Sequence, residues 1–279
     1  MLYVTYALNF TLMLLMPLAL GWFLARRLTQ PWRFFLVGAI GFVLSQVFHI
    51  PLNAGLTLAF RQGLLPAPPE GWQPLFNPVV LGLTAAICEE PMRYLMLRFA
   101  LKEARSRDAA LMFGAGWGGI EAIITGLLAA IAYVNLVLLR DNPALLSTLP
   151  AEQLAAVQSQ LSAYWTAPWY MSLLGAVERV FALITHLALA VLVMQVFLRR
   201  QWRWLGFAIL WHWAGNTVAV YVLTRWGPLA AEGLLALFAL AALGVIFALR
   251  DQPGRAAQPP SAQSIPIPPP TPDGGDLRT

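Results

Sequence analysis

Seven apolar runs, at residues 3–24, 34–60, 79–97, 109–139, 169–198, 204–223 and 229–249, leave this chain few ways to fold. Each approaches or exceeds the ~20 residues a helix needs to cross a hydrocarbon core about 30 Å thick. In lipid only a helix or a closed barrel satisfies every backbone N–H and C=O, and uninterrupted runs of this length are helical. Composition agrees: 59% of the 279 residues are hydrophobic and 11% charged, too apolar for a soluble domain. The expectation is an all-α fold, a polytopic transmembrane bundle of about seven spans built from residues 1–250, in the cell membrane. The first run ends at Arg26-Arg27 without a small-residue cleavage site, so it reads as a span rather than a signal peptide. Residues 251–279, rich in Pro, Gly and Ser, lack the apolar content to fold and are expected to form a disordered tail.

The net charge of +5 does not point to nucleic acid, because the basic residues gather at the ends of apolar runs. Arg26, Arg27, Arg33, Arg98, Lys102, Arg105, Arg107, Arg199, Arg200, Arg203, Arg250, Arg255 and Arg278 fall on one set of alternate connectors and the tail. The other set holds Arg61, Arg140 and Arg225. The positive-inside rule then places the amino terminus outside and the carboxy terminus, with its tail, in the cytoplasm. Pro51 is expected to kink or end the second helix, and the run Gly114-Ala115-Gly116-Trp117-Gly118-Gly119 to let a long fourth helix tilt, break or approach a neighbour closely. Residues 152–161 are amphipathic and suit a membrane surface. Cys88, the single cysteine, reads as a small packing residue.

Against this background charge inside a span is costly and persists only where it pairs, lines a wet cavity or does chemistry. The third run carries Glu89, Glu90 and Arg93; the fourth, Trp117 and Glu121; the fifth, Glu178, Arg179 and His186; the sixth, His212 and Asn216. Counted from the cytoplasmic ends, Glu89, Glu90, Trp117, Glu121, His186, His212 and Asn216 share a slab roughly 12 to 18 Å deep, at about 1.5 Å of rise per residue. Glu178 and Arg179 lie nearer the outer face and are expected to form a separate ion pair. His49, beside Pro51, reads as a hydrogen-bonded packing residue. His212 with Asn216 and Glu89 with Arg93 are each one turn apart and share a helix face. An imidazole and an amide so placed hold a water or a carbonyl oxygen, and a neighbouring glutamate takes its proton.

In chain order, Glu89-Glu90-x-x-Arg93-Tyr94, Phe113-Gly-x-Gly-Trp117-Gly-Gly-Ile-Glu121, Glu178-Arg179 ahead of His186, and His212-x-x-x-Asn216 resemble the YhfC-type membrane peptidases. These are distant relatives of the CAAX prenyl protease and bacteriocin-processing glutamic intramembrane proteases. The similarity covers 86–216, within a protease-like core at about 79–224. It implies that Glu89 activates water, that Glu90, Arg93 and Glu121 support it, and that His212 and Asn216 bind water or an oxyanion. The resemblance departs at Trp117, where the second motif of the relatives has histidine; His186 is the expected substitute. The glutamic relatives need not use a metal, and a zinc ion would take Glu89, His186 and His212. The implied substrate is a peptide bond within or beside the bilayer. The alternative is a catalytically inactive or ion-coupled membrane protein, with a binding, immunity or transport role.

Overall fold

Two segments with no exposed residue organise the molecule: 109–119 in the fourth helix and 186–196 in the sixth are buried at every position. A helix buried all round must be enclosed by others. The computed structural model describes residues 1–148 and 150–250. Its helices are α1 (Leu2–Leu28), α2 (Trp32–Arg61), α3 (Gln73–Leu95), α4 (Arg107–Asp141), α5 (Ala151–Thr166), α6 (Leu174–Leu198), α7 (Arg203–Trp226) and α8 (Pro228–Ala248). No strand occurs among the described residues. The expected tail at 251–279 lies outside them.

α4 packs against α1, α2 and α6, while α3 is held between α2 and α7, and α8 covers α6 and α7. Outward faces carry Leu128, Ile131, Leu240 and Phe247, all exposed, as a bilayer-facing surface requires. α1, α2, α4, α7, α8 and the stretch Trp169–Leu198 that includes α6 are long and apolar enough to cross a membrane. α3 has the length, about 34 Å for its 23 residues, but turns its charges into the bundle. The protein is a multi-pass helical membrane protein.

α2 does not end at Pro51, and α4 does not break at its glycines but runs 35 residues through them. Those glycines serve close approach: a Cβ at Gly116 would meet the Phe35 carbonyl oxygen at 1.8 Å, and one at Gly38 the Phe113 oxygen at 2.0 Å. The backbones of α2 and α4 therefore touch. α5 is tied to the start of α1 by Tyr164 stacked on Tyr6, with ring centroids 3.7 Å apart, and to the end of α4 by Arg140 lying 4.4 Å over Trp165.

Candidate functional site

Adjacent residues on a helix point about 100° apart, so Glu89 and Glu90 leave α3 toward different neighbours. Glu90, fully buried, accepts two hydrogen bonds from Arg93, at 3.0 and 3.2 Å, and one from His212 Nδ1 at 2.8 Å. A buried carboxylate persists only with such partners. Because Glu90 accepts, Nδ1 of His212 carries the proton and Nε2 is left without a partner among the described residues.

The pairing continues across α6 into α4. Arg93 Nη2 donates to His186 Nδ1 at 3.2 Å, so the His186 proton sits on Nε2 and is donated to Glu121 Oε2 at 2.6 Å. Glu121 Oε1 accepts from Arg179 at 2.8 Å, and Arg179 also bonds Glu178. His212, Glu90, His186 and Glu121, which sequence depth places in one slab, are thus linked through Arg93 and on to Arg179 and Glu178 in a single row. The expected separate pair of Glu178 and Arg179 is instead the end of this row. Arg93 pairs with Glu90 rather than with Glu89 one turn away.

Glu89 belongs to a second row. Its Oε2 accepts from Trp117 Nε1 at 3.1 Å and its Oε1 faces Gln46 Nε2 at a long 3.5 Å. Gln46 Oε1 accepts from His49 Nδ1 at 3.2 Å, and His49 Nε2 accepts from Asn53 at 2.9 Å. His49 is hydrogen-bonded as expected, but its partners Gln46 and Asn53, and the link they make to Glu89, escape the sequence reading. Their spacing of three and four from His49, a polar stripe on one face of an apolar helix, is the signal that marks them. Trp117 is wholly buried, with the Arg93 guanidinium 4.2 Å over its ring. It supports Glu89 from behind and does not line the cavity.

That cavity measures about 310 Å³ and is lined by, among others, Glu89, Glu121, His186, His212, Asn216 and His49. At about 30 Å³ per water, it holds on the order of ten. The Asn216 amide, one turn from His212, has no hydrogen-bond partner among the described residues. His186 meets His212 edge-on, centroids 6.0 Å apart, but both its nitrogens are taken by Arg93 and Glu121.

The sequence profile of the YhfC intramembrane metalloprotease family matches residues 12–239. The chain belongs to this family. It is 32% identical over 218 residues to the uncharacterized membrane protein YhfC of Bacillus subtilis (strain 168), covering 77% of this chain and 82% of that protein. No solved structure matches it.

The family's description as metalloproteases brings in a divalent ion, which the donor set here does not fit. Among the described residues no three His, Cys, Asp or Glu side chains converge as ligands. His186 and Glu121 satisfy each other, and both Glu89 oxygens face donors. Trp117, against Glu89, is a donor only. His212 Nε2, backed by Glu90 as zinc-binding histidines are backed by carboxylates, is the free nitrogen that remains. One imidazole is short of the three protein ligands a catalytic zinc takes.

Proposed function

We propose that this YhfC-family protein is an intramembrane peptidase that uses Glu89 as a general base on water. The observation that carries the reading is one cavity shared by the Glu89 carboxylate, the unpartnered Nε2 of His212 and the unpartnered amide of Asn216. A water there gives one hydrogen bond to Glu89 and the other to Nε2, which leaves its lone pair for a peptide carbonyl. Glu89 removes the proton as the C–O bond forms, and the Asn216 amide N–H donates to the developing oxyanion. The C–N bond then breaks as Glu89 passes its proton to the leaving amine. Glu90 holds the His212 tautomer and Arg93 holds Glu90, while His186 and Glu121 anchor Arg93 from α6 and α4. Trp117 fixes the direction of Glu89, an indole donor where the resemblance implies an imidazole.

Glu89→Gln keeps the side chain's shape and one acceptor oxygen for the shorter bond from Trp117, gives up the long one from Gln46, and removes the base. Turnover of an internally quenched membrane peptide by the reconstituted variant should fall by about a hundredfold or more, with an unchanged melting temperature. Chelation with EDTA should leave wild-type turnover within about twofold. A Glu89→Gln enzyme as fast as wild type, or turnover lost to chelation and restored by zinc, would sink the reading.

A proton-coupled role draws on the row from His212 to Glu178, but Arg93 and Arg179 interrupt that row and guanidinium does not give up its proton.

A further inference from the structure

A second cavity, of about 500 Å³, lies between the later half of α2 and the early half of α3. It shares Asn53 and Leu81 with the Glu89 cavity, so the two chambers adjoin. α2 lines it with Asn53, Thr57 and Arg61; α3 lines it with Gln73, Asn77 and Leu81. Both sets recur every fourth residue, which puts each in a stripe along one helix face about 12 Å long. That is the reach of three to four residues of extended chain, at about 3.3 Å each. Phe60 and Phe76 pack edge-to-face against it, centroids 5.5 Å apart, as an apolar wall.

The polar rungs decide what fits. An extended peptide carries unpaired N–H and C=O groups that need partners in a membrane, and Asn53, Gln73 and Asn77 offer amides of both polarities. A lipid acyl chain would leave them unused. The lining holds a single charged side chain, Arg61, which has no ion-pair or hydrogen-bond partner among the described residues. Guanidinium binds carboxylate with two parallel hydrogen bonds. Asn53 stands where the chambers meet and donates to His49, which leads through Gln46 to Glu89.

The geometry points to a substrate groove: an extended peptide lies between α2 and α3, enters the Glu89 cavity past Asn53, and is held at its far end by a carboxylate on Arg61. Naming the peptide a substrate rests on the peptidase reading above; its binding does not.

The test uses the full chain carrying Glu89→Gln in detergent micelles, so that binding is read without turnover. The probe is fluorescein-labelled Ala-Leu-Val-Leu-Ala, as free acid and as carboxy-terminal amide, followed by anisotropy. The acid should bind about tenfold more tightly than the amide, the scale of one charge-assisted contact. Arg61→Gln should erase that difference, and Thr57→Trp, which fills the groove, should weaken both peptides. Equal binding of acid and amide, or an acid preference that survives Arg61→Gln, would overturn the groove. So would loss of the acid preference on adding phosphatidylglycerol, which assigns Arg61 to lipid. If wild type cleaves nothing while Glu89→Gln binds as described, the peptidase reading fails and the groove stands.

Discussion

At the scale of single residues, the sharpest feature is the division of labour between neighbours on α3. Glu90, at 0% exposure, is a structural anion locked by Arg93 and His212, and Glu89 faces the wet side with weaker bonds. Removing one member of a buried ion pair strands the other, at a cost of roughly 3–5 kcal/mol. Arg93→Met should therefore lower the unfolding free energy in detergent by about that amount, and adding Glu90→Gln should recover part of it. The two changes should be non-additive, because they remove one interaction. A loss below about 1 kcal/mol for the single variant would mean that Glu90 is less dependent on Arg93 than its geometry implies.

At the scale of helices, the site depends on how closely α2 lies against α4. Gly38 faces the Phe113 oxygen and Gly116 faces the Phe35 oxygen, so each glycine admits the other helix's backbone. A methyl at Gly116 has no flexible side chain to push aside, only backbone. Gly116→Ala should cost about 1–3 kcal/mol of stability as overpacking does, and should carry Gln46 and His49 away from Glu89. Gly206→Ala, where nothing lies within 4 Å, should stay within about 0.5 kcal/mol of wild type. Comparing the two by thermal unfolding separates contact from helix propensity; equal melting temperatures would refute the packing argument.

At the scale of the whole molecule, the bundle is solid at one end and hollow toward the other. The fully buried segments of α4 and α6 close the end that bears most arginines, and the two cavities open from mid-bundle toward Arg61. We propose, from the distribution of basic residues, that the closed end is cytoplasmic and that peptide enters from outside. In a Cys88→Ser background, an impermeant maleimide applied to intact cells should label Gly71→Cys. It should label Lys102→Cys only after permeabilisation. The reverse pattern would invert the protein.

Membrane residence, helical class and the approximate number of spans were legible from sequence alone, because a bilayer dictates both the length and the apolarity of whatever crosses it. The ordered motifs were legible too, and with them the family. Depth counting brought Glu89, Glu121, His186, His212 and Asn216 to one level, since the rise of a helix is fixed. Rotation was not legible. Helical spacing tells which residues share a face, but only packing against neighbours sets where that face points and which rotamer each side chain takes. Hence Arg93 chose Glu90 over Glu89, His186 spent both nitrogens on Arg93 and Glu121, and His49 joined the row that reaches Glu89. Trp117 shows the limit most plainly: sequence puts an indole where the resemblance implies an imidazole, and only tertiary packing determined that it stands behind the carboxylate, donating to it, rather than in the cavity.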